Sequence, residues 1–562
     1  MPACPICNQT YNGLVNTQQM SPTGQVIGRH VLRAYRNDDN GLPLPLGRYT
    51  IGAILNHVLP LHEENADRID MLHKFYRSDQ LVKYRKKKIR SDITYNMVIN
   101  YAYRVVEFYT GYTLSNNIQF LAKNLNRSSE VELFNEYYDL DDGHSKNIEL
   151  GEWCLICGNG YKRTLKHPEW SLSSQEYNLD ISPYQTQVLD PRNAFVVYAI
   201  EDGLPLFAGT TSVKDKKDDK GNFYKEYGVE VSTTMHNFKW VFEYGNNKKN
   251  KTNNKNKESN FPDLEELEPV IPNETQHGIH GIGVIPITEY MNNHNRIGLV
   301  EALLDLFNAV NLLGSNALEN IEQIVQAYLI FLNADMPKDE NGKSIMPKPT
   351  GDAISVKGTP GLPADVKLLS LVLDQSGVKT YMDILLDAMV DIGGVPLISS
   401  RSATASGGTT GHAEQTRGGW GHADAKAIKF LKLFRSSESR NARTILSICR
   451  HTQGIGIQDL SLRDIDVKPT RSRFENVQSK AQAFVAYHRT EVWHPADIAK
   501  ELDLFDDIEG NLERGKQYWL EEEANDAQTM YEELTALRSL HGQEEEQEDT
   551  TGENLPEEVV TE

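Results

Sequence analysis

Residues 297–332 read IGLVEALLDLFNAVNLLGSNALENIEQIVQAYLIFL, and their spacing decides the fold. Val300, Leu303, Leu304, Phe307, Val310, Leu313, Ala317, Ile321, Ile324 and Val325 recur at threes and fours, the period that places an apolar stripe on one face of a helix. Roughly 35 residues of helix reach about 50 Å, more than a small domain needs. Pro337, Pro347, Pro349, Pro360 and Pro363 then interrupt 336–363, because proline lacks an N–H and clashes with the preceding helical turn. The chain returns over 378–392 with Val378, Tyr381, Met382, Leu385, Met389 and Ile392 in the same period. Asp374 or Ser376 caps that segment and Gly393-Gly394 stops it. Two helices flanking a compact excursion make a stalk with a tip.

The rest of the composition narrows the class. A chain of 562 residues has length for several domains and a sizeable core. No apolar run approaches the roughly 20 residues of a membrane span, and the N-terminus has neither the basic nor the apolar region of a signal peptide. Five cysteines are few and odd in number, which fits a reducing compartment without structural disulfides. The net charge of -21 argues against a protein that grips duplex DNA by its phosphates, since such proteins carry a basic excess. Nine carboxylates fall in 542–562 with no basic residue among them, so that tail reads as disordered.

Taken in order, 1–50 is polar and turn-rich and reads as an extended arm. A helical pattern covers 51–76 through Ile54, Leu55, Val58, Ile69, Leu72 and Phe75, and another covers 97–112. Between them Lys83, Arg85, Lys86, Lys87, Lys88 and Arg90 form the densest positive run, a solvated face by expectation and an anion site as the alternative. After a polar connector 150–161 is apolar, and 195–200, 223–231 and 238–244 read as strands. Residues 245–260 are almost wholly Asn and Lys, a low-complexity insert. A Ser/Thr/Ala/Gly loop fills 397–421, and loops of that length are functional or disordered. A helix then covers 423–449 with Ile428, Leu431, Phe434, Ile445 and Leu446 inward, a strand 465–469, and helices 474–540 with breaks at Pro495 and Gly510.

Chemistry-bearing motifs are few. Cys4-x-x-Cys7 and Cys154-x-x-Cys157 offer four thiolates to a zinc ion, but the second pair sits in an apolar run where cysteine behaves as a small hydrophobe. Cys4 and Cys7 remain the weak metal candidates. Gly278, Gly281 and Gly283 match neither a Walker A loop nor a dinucleotide fingerprint. With His277 and His280 they read as turn residues before a strand at 284–287. No triad or carboxylate pair stands out, so no catalytic residue and no cofactor is expected.

The glycine-bounded IGVIPI at 282–287, Asn292-Asn293 and the following helix with LLDLFN at 303–308 together resemble the portal proteins, or head-to-tail connectors, of long-tailed bacteriophages. Phe75-Tyr76, the basic run, Asn96, Asn100 and Gly111-Tyr112 are similar to that family's approach to its wing region, and 374–394 with the Ser/Gly-rich loop and long helix matches its second stem helix, tunnel loop and wing helix. The resemblance spans roughly 60–530, and the order of motifs carries it more than any single one. It implies an α+β, mainly helical, ring-forming portal fold: arm 1–50, wing 51–295, stem helix 296–324, clip 325–373, second stem helix 374–394, tunnel loop 395–422, wing helix and return strand 423–480, helical crown 481–541 and acidic tail 542–562.

The resemblance also implies a function. Twelve copies would ring one capsid vertex of the virion, with double-stranded DNA packaged and ejected through the tunnel. The terminase large subunit and head-completion adaptors would dock on the clip, and capsid and scaffolding proteins around the wing, with no membrane involved. Ser399, Ser400, Arg401, Ser402, Thr404, Ser406, Thr409 and Thr410 would line the tunnel, and Lys338, Lys343, Lys348 and Lys357 would meet partners or solubilise the tip. Val300, Leu303, Phe307, Val310, Tyr381, Leu385 and Met389 would form the seam between subunits. Two rival classes stand beside this one: a zinc-dependent nucleic-acid-binding protein built on the CxxC pairs and the basic run, and a virion hydrolase whose site is assembled from scattered residues.

Overall fold

The computed structural model describes residues 28–37, 43–87, 93–170, 181–217, 223–244, 264, 267, 280–325, 328–332, 334–335, 357–358, 365–369, 375–396, 420–469, 477–489, 495, 498–499, 510–511 and 513–522. Two compact units divide the chain, Met1–Ser472 and Arg473–Glu562. The first unit runs β1 (Arg33–Ala34), α1 (Arg48–Tyr76), α2 (Tyr101–Leu114), β2 (Gln119–Ala122), α3 (Ser128–Leu140), α4 (Gly143–Cys157), β3 (Asn159–Lys166) and β4 (Tyr184–Leu189). It continues through β5 (Ala194–Ala199), β6 (Pro205–Lys217), β7 (Phe223–Ser232), β8 (Asn237–Tyr244), β9 (Ile287–Met291), α5 (Leu299–Ala302) and α6 (Leu304–Val325). Then come β10 (Tyr328–Leu332), β11 (Ala334–Asp335), β12 (Lys357–Gly358), β13 (Asp365–Leu369), α7 (Gln375–Gly393), α8 (Trp420–Arg450) and β14 (Ile465–Lys468). In the second unit α9 (Val477–His488) is followed by helical residues 513–522, whose Tyr518, Trp519 and Leu520 are exposed.

The three largest of its buried clusters hold the first unit. The sheet β1-β5-β6-β7-β8 buries Phe195, Val197, Phe207, Val229, Val231 and Trp240 against Ile51, Ile54, Leu55, Val58 and Leu59 of α1. The sheet β4-β3-β9 meets α4 and α8, with Tyr184 and Tyr290 packed among Phe430, Phe434, Ile445 and Leu446. The third core is helical and joins α1, α2 and α4 to the start of α5 and α6. Fully burying each large apolar side chain is worth about 1.5–3 kcal/mol, so the third cluster, which holds Val300, Leu303, Phe307, Val310 and Met389, fixes where the helix pair leaves the body.

Several expectations change. The apolar period at 297–332 does not make one helix: α5 and α6 cover it only to Val325, and 328–332 forms a strand paired antiparallel with β13. Tyr-Leu-Ile-Phe-Leu is short, apolar and β-prone, a run for which periodicity alone does not separate strand from helix. The strand near 284–287 begins at Ile287 instead. Residues 28–36 of the arm are built into the body, where β1 pairs in parallel with β5 and Arg29 is fully buried. The polar connector before 150 contains two helices, α3 and α4. Ile428, expected inward, is exposed. The Asn/Lys insert 245–260 lies outside the described residues.

One charged pair sits at the bottom of the second core. Lys162 of β3 and Glu438 of α8 are both fully buried, with Nζ and Oε2 3.1 Å apart. Asn147 accepts from the ammonium at 2.6 Å, and the Tyr138 hydroxyl donates to Glu438 at 3.0 Å. Tyr290 and Asn441 supply further hydrogen bonds. Burial pushes the Glu438 carboxyl up, but the Lys162 ammonium and these donors outweigh it and hold it below the usual carboxylate range. Lys162→Met strands a buried carboxylate, and a loss of about 3–5 kcal/mol in urea unfolding is expected. Since the folded carboxyl titrates low, its contribution is present above the unfolded carboxylate pKa and is lost as pH falls through the folded one. Glu438→Gln should therefore flatten the acid limb of the urea midpoint plotted against pH.

Candidate functional site

The helix pair and its junctions carry most of the residues to which the sequence assigned a role. Val300, Leu303, Phe307 and Val310 are each 0% exposed. They pack on Ile69, Leu72 and Phe75 of α1 and on Ala102, Val105 and Tyr109 of α2, with Met389 of α7 in the same cluster. The Phe307 and Phe75 ring centroids lie 6.2 Å apart. These residues have no surface left for a neighbour, so as seam residues they are corrected: they belong to the subunit's own core. Leu385 is half-buried against the same cluster, and Tyr381 is 65% exposed. The apolar side chains that do face outward include Tyr381, Ile384 (55%) and Ile392 (51%) on α7 and Leu318 and Ile321 on α6. At 100° per residue the three α7 positions fall within an arc of about 80°.

A second face of α6 is polar and dry. Asn311, Ser315 and Glu319 stand four residues apart and are buried. They accept the backbone N–H groups of Ile99 (2.7 Å), Met97 (3.1 Å) and Tyr95 (3.1 Å), alternate residues of an extended strap lying along the helix. Gly314 lies under the side-chain ends of Met97 and Ile99, 2.8 and 3.1 Å from where a Cβ would stand. The basic run closes the end of this ladder. Lys87 pairs with Glu319, and Arg85 lies 3.8 Å from the same carboxylate. Part of that run is thus a structural counter-charge and not a solvated face. A row of polar residues at i, i+4 and i+8, matched to the alternation Tyr95, Met97, Ile99, is the signal that would have found it.

The other junction precedes the Ser/Gly-rich segment. The Tyr109 hydroxyl lies 3.0 Å from both Gly393 O and Gly394 O, and Lys426 Nζ bonds Ile392 O. Gly394 has φ +66°, and a Cβ there would stand 2.8 Å from the Tyr109 hydroxyl, a conformation and a gap that only glycine suits. At the far end Trp420 of α8 packs 5.9 Å, centroid to centroid, from both Phe108 and Tyr112, and Tyr112 bonds Asp424. Both ends of 397–419 therefore rest on α2. The segment itself, with Ser399, Ser400, Arg401, Ser402, Thr404, Ser406, Thr409 and Thr410, lies outside the described residues, as do Lys338, Lys343, Lys348, Cys4 and Cys7. Lys357 begins β12, which pairs with β11.

Cys154 and Cys157 do not suit a metal. Both are buried in α4, and Cys157 Sγ donates to Trp153 O at 3.0 Å. Burial pushes both thiols up, Cys157 to about 12, whereas zinc takes thiolates. Among the described residues no group of three or more His, Cys, Asp or Glu is placed to hold an ion.

With this geometry in hand, the comparison with known proteins is direct. A family model described as "Phage portal protein, SPP1 Gp6-like" matches residues 55–529. The chain belongs to the phage portal family. That family is structural, and membership makes this portal chain a component of a phage virion and its head-to-tail connector. No curated protein matches the sequence. Among solved structures, a chain of the "Neck of empty GTA particle computed with C6 symmetry" is similar at 12% identity and a TM-score of 0.37, covering 72% of this portal chain and 90% of that one. At that level the family match alone carries the assignment. No helix among the described residues is long and apolar enough to cross a membrane.

Asn311→Ala leaves the Ile99 N–H and the Gln80 side chain without their acceptor and donor inside a dry interface. A loss of about 1–3 kcal/mol is expected. Hydrogen exchange at the Ile99 amide should accelerate by the matching factor, and an unchanged rate would mean that the strap is held by its side chains alone.

Proposed function

We propose that this chain forms a closed ring of twelve copies at one capsid vertex, and that the ring is the channel for double-stranded DNA during packaging and ejection. The observation that carries this reading is the portal-family match across 55–529. The exposed apolar face of α7 supports it, because Tyr381, Ile384 and Ile392 are a surface that a monomer has no use for and that ring symmetry covers. In this reading 296–324 and 374–394 form the stem, 325–373 the clip, 51–295 with 395–480 the wing and tunnel loop, and 481–541 the crown. Terminase and head-completion proteins dock on the clip, and capsid and scaffolding proteins around the wing.

An acidic chain suits a conduit. Each phosphate contact anchors the duplex through counterion release, so a channel through which DNA slides is served by few of them. The segment 397–412 would offer hydroxyls, small side chains and Arg401 to passing DNA.

Negative-stain images of the purified chain should show rings with a central hole, and stable monomers would rule the proposal out. Tyr381→Asp with Ile384→Asp should abolish rings and leave the melting temperature of the monomer within about 2–4 °C. Phe307→Asp, by contrast, should unfold the subunit itself, since it puts a charge into a fully buried site. Deleting 402–410 should leave rings intact and impair DNA packaging or retention in an assembly assay. Normal packaging by that deletion would remove the segment from the mechanism.

A further inference from the structure

The basic run turns two ways. Arg85 and Lys87 face Glu319, whereas Lys83 and Lys86 are exposed and make no ion pair with any described residue. Lys83 belongs to a short 3-10 helix, Leu81–Tyr84, in which Val82 is buried while Leu81 and Tyr84 are 67% and 68% exposed. Residues three apart in a 3-10 helix eclipse each other, so these two apolar side chains share one side. The Tyr84 hydroxyl donates to Asp79 at 2.6 Å, which holds the ring in place. The outward face of 81–86 is therefore apolar and basic.

The outward face of α7 is apolar and acidic. Tyr381, Ile384 and Ile392 form its exposed arc. Beyond Ile384, Asp391, Asp387 and Asp383 follow around the helix at about 20°, 60° and 100°, so a row of carboxylates borders that arc. The two faces also stand at one level. Gln80 bonds Asn311 and Lys87 pairs with Glu319, so 80–87 runs beside 311–319 of α6. α7 packs along α6 in the opposite direction, with Gly393 against Leu303 at one end and Tyr328 opposite Leu369 beyond the other. Both helices rise about 1.5 Å per residue. Positions 311–319, counted on from Leu303, are therefore level with 385–377, counted back from Gly393, and that stretch holds Tyr381 and Ile384.

We propose that the outward face of α7 in one copy docks on the 81–86 face of the next copy, with Tyr381 and Ile384 against Leu81 and Tyr84 and the acidic row toward Lys83 and Lys86. This rests on the ring of the proposed function and names what covers α7 within it. Unlike faces meet head to tail in a ring. Rotation about an axis carries no rise, so with the helix pair running along that axis only faces at one level can meet. Opposite charge beside the apolar contact sets partner and register. A two-fold pairing of α7 with α7 would instead set one row of carboxylates against another.

The test uses two full-length variants, Lys83→Asp with Lys86→Asp, and Asp383→Lys with Asp387→Lys, followed by light scattering and negative-stain imaging. Each variant alone sets like charges against each other at every seam, so loss of rings is expected, with the circular dichroism of the wild type retained because these are surface positions. Mixed in equal amounts, the two restore opposite charge at every seam, and alternating rings should form. Rings at wild-type yield from either variant alone, or none from the mixture of two folded variants, would overturn the seam, and rings of the wild type would still uphold the ring itself. A wild-type chain that stays monomeric would remove ring and seam together.

Discussion

The structure depends on the match between an extended strap and a helix. Two residues of extended chain advance about 6.6–6.8 Å, and four residues of α-helix advance about 6.0 Å. Alternate N–H groups of 95–99 can therefore meet side chains on successive turns of α6, as Asn311, Ser315 and Glu319 do. The 22 residues of α6 rise about 33 Å, and only the first turns lie in the core. Isolated helices are marginal in water. The strap gives the middle of α6 a dry, hydrogen-bonded side, α7 gives it an apolar one, and Glu319 is held by Lys87 and Arg85 of the basic run.

Buried ions repeat this logic in the body. Glu301, at the start of α5, receives Arg29 at 3.0 Å and Arg68 at 2.8 Å, residues 272 and 233 positions away. Arg296 forks onto Glu289 at 2.7 and 2.8 Å, with Tyr198 bonding the same carboxylate. Lys162 meets Glu438. Burying such pairs gains little net stability, while breaking one is costly, so their effect is to penalise any arrangement in which the partners fail to meet. The first two sit at or just before the start of α5 and tie it to the N-terminal segment, to α1 and to β9, and the third ties β3 to α8 within the second core.

Much of this was legible in the sequence because period is local. The stripes of α1, α2, α7 and α8, the continuous apolar run of β5 and the alternation in β7 and β8 need only neighbouring residues to be seen. The helices α3 and α4 were hidden because α3 buries only Val131, Phe134 and Tyr138, too few to stand out from a polar background. Arg29 and Lys162 were illegible for another reason: a buried charge is defined by its counter-ion, and nothing in sequence says that residues hundreds of positions apart will meet. The same limit explains the misplaced seam. Phe307 and Tyr381 look alike in periodicity, and only the fold separates the one that fills its own core from the one left at the surface.

That separation sharpens what a ring could and could not alter. The inner side of the helix pair is fixed by Phe307, Leu303 and Met389 packing on α1 and α2, so assembly cannot rearrange it without unfolding the subunit. Tyr109 of the same α2 holds Gly393 and Gly394, and Phe108 and Tyr112 hold Trp420. The two roots of 397–419 are thus clamped to one rigid helix that also supports the base of α6. In the proposed ring the described residues that flank 397–419 therefore move only with the subunit body.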